Sequence, residues 1–170
     1  MALLALAGCS RVEEGVATAV LEPPIRVVAT TGLVGDATEH VGGDRVEVSS
    51  LMGPGIDPHV YKASEGDVEL LVGADLVLFN GLHLEAKLAD VLERLEGRAV
   101  AVTDGIPRAR LLRPPGFSGA FDPHVWFDVT LWADIVRTIE QTLGRRDPAG
   151  APVYRRNAER YLAELAELDR

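Results

Sequence analysis

Arg26-Val27-Val28-Ala29-Thr30, followed by Thr31-Gly32, a helical stretch over residues 33–41, the pair Gly42-Gly43 and then Arg45-Val46-Glu47-Val48-Ser49, is the stretch on which the fold turns. The first run is short, apolar and β-branched, as a buried strand requires. Two glycines stop the intervening helix, and the second run alternates apolar with polar residues as a half-buried strand does. Strand, helix and strand in this order make the first turn of a layered α/β fold. The pattern continues along the chain. Ser64 caps a helix through Gly73 with Asp67 in its first turn, Asp75-Leu76-Val77-Leu78-Phe79 is apolar on both faces, residues 85–95 read as a helix, and Arg98-Ala99-Val100-Ala101-Val102 is a fourth strand. The prediction is an α/β domain with a mainly parallel four-stranded sheet flanked by helices. At the far end, Val153, Tyr154, Ala158, Tyr161, Leu162, Leu165 and Leu168 recur at helical spacing and predict a long closing helix.

Sheets of this kind bind ligands beyond the carboxyl ends of their strands, and the chain places a repeated phrase there. Asp57-Pro58-His59-Val60-Tyr61 follows the second strand, and Asp122-Pro123-His124-Val125-Trp126 lies in the connection after the fourth. Proline fixes its own φ and keeps the preceding aspartate extended, so each histidine leaves a stiff loop in a defined direction. A neutral imidazole is the commonest metal ligand, and a carboxylate that takes its second N–H holds the tautomer. His59 and His124 are therefore the candidate metal ligands, with Asp57 and Asp122 as their supports. His83 and Glu85 lie on the same sheet edge and are kept as possible contributors, although His83, lacking the Asp-Pro frame, reads better as a helix-entry residue. His40, near the end of the first helix, reads as a surface or capping residue.

Composition bounds the alternatives. A chain of 170 residues with 47% hydrophobic content supports one well-cored domain. A net charge of −9 argues against nucleic acid, whose phosphates need clustered Lys and Arg. No apolar run approaches the roughly 20 residues that span a bilayer. The single cysteine excludes an internal disulfide and a multi-thiolate site, leaving nitrogen and oxygen ligands. Arg108, Arg110 and Arg113 read as a solvated edge.

The cysteine stands at an informative place. Leu6-Ala7-Gly8-Cys9, at the end of an apolar run, resembles the lipobox of bacterial lipoproteins, which implies a lipid on Cys9 and attachment to a membrane from the extracytoplasmic side, in the periplasm or at the cell surface. Residues 1–24 then divide into a truncated lipoprotein signal and a polar tether ending in Pro23-Pro24, residues 25–149 form the α/β lobe, and residues 150–170 begin a long helix.

Three ordered segments carry a wider resemblance. Gly55-Ile56-Asp57-Pro58-His59-Val60-Tyr61-Lys62-Ala63-Ser64, Ala74-Asp75-Leu76-Val77-Leu78-Phe79-Asn80-Gly81-Leu82-His83-Leu84-Glu85 and Phe121-Asp122-Pro123-His124-Val125-Trp126-Phe127-Asp128 look like the zinc and manganese solute-binding proteins of ABC transporters, the TroA- or ZnuA-like family. The resemblance covers roughly residues 26–170. It implies two α/β lobes joined by a rigid helix, with zinc or manganese held between them for delivery to a membrane permease. The family's first two ligands fall on His59 and His124. Its third, histidine or glutamate, and its fourth, aspartate, belong to a second lobe, whereas this chain ends at Arg170 inside the expected connecting helix. The resemblance thus implies a monomer carrying half a site, with weak metal binding and water in the open positions. Residues 103–120 hold no histidine, unlike the His-rich loop common in zinc-specific relatives.

Two other classes compete with a transport role. A metal-dependent hydrolase would use His59 and His124 with Asp122 or Glu85 and an activated water, but no HExxH helix or comparable signature is present. A surface adhesin would present the lobe as an epitope, with metal secondary.

Overall fold

The computed structural model describes residues 19–95, 97–115 and 119–170. Four strands, β1 (Ile25–Thr31), β2 (Val46–Met52), β3 (Leu76–Phe79) and β4 (Ala99–Ala101), form one sheet. Its order is β2-β1-β3-β4 and every pairing is parallel. Five helices cover it: α1 (Gly32–Gly42), α2 (Glu65–Gly73), α3 (Ala89–Glu93), α4 (Val129–Arg146) and α5 (Ala151–Leu168).

The period of two along each strand sorts the core into two layers. Ile25, Val27 and Ala29 of β1 and Leu76 and Leu78 of β3 face Val34, Ala37 and Val41 of α1, Ile135, Ile139 and Leu143 of α4, and Tyr154 and Ala158 of α5. Val28 and Val77 point the other way, against Leu71, Leu88, Leu92 and Leu95. Strands buried on both faces explain why these runs read as continuously apolar rather than alternating.

Three elements depart from the sequence reading. The helix expected over residues 85–95 is split into a 3-10 turn at Ala86–Leu88 and the single turn of α3, because Glu85 is buried beneath the preceding turn instead of opening a helix at the surface. The second strand starts at Val46 and runs on to Met52. The longest omission is α4, an 18-residue helix capped by the Asp128 carboxylate, which accepts from Thr130 N and Leu131 N at 2.8 and 3.1 Å. Cys9 and the lipobox lie outside the described residues.

The closing helix docks on the lobe itself. Tyr154, Ala158 and Leu165 are buried, Tyr161 and Leu162 pack partly against the same core, and only Leu168 of the stripe is exposed. A buried polar clamp fixes its start. The Tyr154 hydroxyl donates to Asp147 Oδ2 at 2.6 Å, Arg45 Nε donates to the same oxygen at 2.7 Å, and Asn157 Nδ2 reaches Val41 O at 3.0 Å. Burial alone would push the Asp147 carboxyl up, but the bonds from Tyr154, Arg45 and Gly150 outweigh it and hold it below its ordinary value. Asp67 is likewise depressed, chiefly by the Ser64 hydroxyl, and Asp75 by Arg26.

A pH profile follows from these directions. A carboxylate depressed in the folded state stabilises fully above its unfolded value and loses that contribution as pH falls through the folded one. The melting temperature is therefore expected to stay level from pH 7 to about 5 and to fall below about 4, with Asp147→Asn flattening the acid limb. At the other end, burial and then the Asp147 carboxylate push Tyr154 up to about 12. Its contribution is complete below about 10 and is lost as pH rises from there. Thermal melts across this range check both limbs, and a loss of stability between pH 7 and 5 would contradict the first.

Candidate metal site

Both repeated phrases sit at the carboxyl edge of the sheet and adopt the same local turn. Asp57 Oδ1 accepts the backbone N–H of His59 at 2.9 Å, and Asp122 Oδ1 accepts that of His124 at 3.0 Å. An aspartate bonded two residues ahead across a proline is a locally closed turn, and this explains why the acid and the proline recur with the histidine. Each phrase also leads into a capped helix. Tyr61 donates to Asp67 Oδ2 at 2.8 Å, the same carboxylate that completes the Ser64 capping box of α2. Trp126 stands edge-on to the His124 ring, with centroids 5.2 Å apart, and Val125 anchors the second loop in the core.

The two turns bring their histidines together. His59 Nε2 and His124 Nε2 are 3.1 Å apart, with ring centroids at 5.2 Å. The supports differ between the two copies. His124 Nδ1 lies 2.7 Å from Asp122 Oδ1, so the carboxylate accepts a hydrogen bond from Nδ1–H, the tautomer that leaves Nε2 bare. His59 then donates its Nε2–H to that bare nitrogen. The Asp122 carboxyl is held below its ordinary value, chiefly by the His124 backbone N–H, and so stays charged through neutral pH. Asp57 bonds the backbone of its histidine only.

A buried network beneath the second phrase holds it in place. Asn80, at the end of β3, donates from Nδ2 to Pro123 O at 3.1 Å. Glu85 Oε1 accepts from Asn80 N and Thr30 Oγ1, both at 2.7 Å, and Oε2 accepts from Gly81 N at 3.1 Å. Both Glu85 oxygens are engaged in this network. They brace a turn in which Gly81, Leu82 and His83 all have left-handed φ, of 87°, 54° and 65°. At Gly81 a Cβ would stand 2.7 Å from Thr103 Oγ1 and 2.9 Å from Ala101 Cβ, so only glycine fits. His83 is exposed on this turn and lines a separate cleft with Phe79, Leu82 and Phe121. His40 bonds Asp36 O and stacks on Tyr161, away from the pair.

The sequence gives no sign of the role of Asn80, whose position is evident only once the second phrase is seen to cross the end of β3. The expected solvated arginines are also engaged. Arg110 pairs with Asp134 and bonds Thr130 Oγ1, which ties the loop to α4, and Arg108 and Arg113 lie over the Phe121 ring at 5.5 and 4.2 Å. Among the described residues, no three His, Cys, Asp or Glu side chains are placed so that together they could hold a metal ion.

The parallel sheet and the helices that flank it are shared with a known class of protein. The chain belongs to the family described as ZnuA, zinc-uptake complex component A periplasmic, whose sequence profile matches residues 27–170. It is 43% identical, over 99% of its length and 55% of the relative's, to the manganese-binding lipoprotein MntA of Bacillus subtilis. To the zinc-binding protein TroA of Treponema pallidum it is 41% identical, over 84% of this chain and 46% of that one. The solved structure of that TroA superposes with a TM-score of 0.81 over 85% of this chain and 52% of its own. The Mn-bound periplasmic metal binding protein from candidatus Liberibacter asiaticus gives 0.74 at 30% identity, over 82% of this chain and 52% of that one. The chain thus spans about half the length of the curated relatives it matches.

Proposed function

We propose that this chain is the first lobe of an extracytoplasmic solute-binding protein that captures zinc or manganese for an ABC permease, with His59 and His124 supplying two of the ligands. The observation that carries the reading is the 3.1 Å separation of the two Nε2 atoms on the exposed sheet edge. Zinc–nitrogen bonds of ~2.0–2.1 Å in a tetrahedral arrangement place two ligand nitrogens roughly 3.3 Å apart, so one ion fits between the rings with a shift of a few tenths of an ångström. Binding the ion through Nε2 requires His59 to carry its ring proton on Nδ1 instead, while Asp122 keeps His124 in the binding tautomer. The metal is cargo here. Relatives named for manganese and for zinc match this lobe equally well; two imidazoles suit zinc, and manganese needs further oxygen ligands beside them.

The hydrolase reading loses one of its two candidate third groups, because both Glu85 oxygens already accept hydrogen bonds within a buried network. No helix of the described residues is long and apolar enough to cross a membrane, and attachment is proposed to depend on a lipid at Cys9. Long-range proton–nitrogen NMR of the imidazoles during a zinc titration tests the site. The Nε2 signals of His59 and His124 are expected to move together while those of His40 and His83 stay still. Movement confined to His83 or His40 would remove the proposal.

A further inference from the structure

We propose that Asn80-Gly81 is a latent deamidation site, held closed by the Glu85 network and converted to aspartate or isoaspartate when that network opens. The chain has two asparagines, and the other, Asn157, precedes Ala158 within α5. Asn80 precedes a glycine, which has no Cβ to hinder its backbone nitrogen and no steric bar to the torsions that bring that nitrogen onto the asparagine side chain. In the reaction a bond forms between Gly81 N and Asn80 Cγ, the Cγ–Nδ2 bond breaks, and the proton from Gly81 N leaves with Nδ2 as ammonia. One water then opens the five-membered succinimide at either carbonyl. No oxidant or cofactor takes part.

The folded lobe opposes each part of this step. Gly81 N donates to Glu85 Oε2 at 3.1 Å, and a neighbouring carboxylate disfavours the negative charge that the nitrogen acquires as it loses its proton. The leaving amide is tied down, since Asn80 Nδ2 donates to Gly81 O and to Pro123 O, both at 3.1 Å. The Asn80 backbone is held on both sides of the peptide, its N–H by Glu85 Oε1 at 2.7 Å and its carbonyl by Thr103 Oγ1 at 2.6 Å, which fixes the torsion that would carry Gly81 N onto Cγ. Asn80 is 1% exposed, so the hydrolysing water is kept out. Conversion, once it occurs, removes the brace it started from. The product carboxylate offers acceptors only, so Pro123 O and Gly81 O lose their shared donor and face a negative charge. Pro123 directly precedes His124, and the second phrase is loosened as a result.

Peptide mapping by mass spectrometry of the 170-residue chain, aged in mildly alkaline buffer with and without urea, tests the assignment. In urea the Asn80 amide is expected to convert roughly tenfold or more faster than in the native chain, and ahead of Asn157. In native buffer Glu85→Gln accelerates conversion at Asn80 roughly tenfold, whereas Tyr154→Phe, which weakens the distant clamp on α5, leaves it slow. Should Glu85→Gln fail to fold, Thr30→Val, which removes one donor to Glu85 and leaves Asn80 intact, is expected to accelerate conversion in the same direction. Asn80→Asp, the product prepared directly, lowers the melting temperature and moves the His124 ring signals in NMR while those of His40 stay still. Equal rates in urea and in native buffer, or conversion at Asn157 ahead of Asn80, would overturn the site. Equal acceleration by Glu85→Gln and Tyr154→Phe would show that the whole lobe must unfold, and would overturn the guarding role of Glu85. An unmoved His124 in Asn80→Asp would overturn the link to the second phrase.

Discussion

Glu85→Ala is expected to destabilise the lobe by about 3 kcal/mol in urea unfolding, the largest loss from any single polar truncation around the site. Three donors lose their acceptor at once, Thr30 Oγ1, Asn80 N and Gly81 N, all in a region without access to water. A buried donor left unpaired costs its full desolvation, and bonds to a carboxylate are stronger than neutral ones. The turn that follows adds to the effect. Leu82 and His83 hold left-handed φ values that side-chain-bearing residues disfavour, and the Glu85 carboxylate is what closes that turn against Asn80 and Gly81. Glu85→Gln keeps one acceptor oxygen and is expected to lose about half as much. Because Asn80 also carries Pro123, Glu85→Ala should loosen the His124 loop and weaken metal binding without touching a ligand. A measured loss under about 1 kcal/mol would show that the carboxylate does not brace the turn.

His59→Ala and His124→Ala are expected to behave in the opposite way, leaving stability unchanged and each lowering zinc affinity at least tenfold. Both rings stand on the surface side of their loops, so truncation opens no core cavity. The supporting aspartates separate the two copies of the phrase. Asp122→Asn removes the charged partner of His124 Nδ1 and should reduce affinity roughly 10-fold, whereas Asp57→Asn, which keeps its bond to the His59 backbone, should have little effect. Equilibrium dialysis against zinc distinguishes them, and equal losses from the two aspartate variants would contradict the asymmetry.

The layers of the fold were legible because two-sided burial writes itself into sequence. Runs such as Val27 to Ala29 and Leu76 to Leu78 have no polar face to confuse the reading. The histidine pair was legible from the repeated phrase, since the Asx turn, the proline and the ring each need a particular residue. What stayed hidden depends on contacts distant in the chain. Glu85 looks like a helix start until Thr30, 55 positions earlier, is found donating to it. The helix α4 buries Trp132, Ile135, Val136, Ile139 and Leu143 at good helical spacing, but its cap, Asp128, directly follows the second metal phrase. The split of the third helix was not legible at all, because its cause is the buried Glu85 network and not the local propensity of residues 85–95.

Calorimetric titration of zinc into the wild-type chain and into the His59→Ala, His124→Ala double variant bears most directly on the histidine pair as the metal site. The expected result is weak, saturable binding to the wild type and none to the double variant. Submicromolar binding at one zinc per chain, unchanged when both histidines are removed, would contradict it.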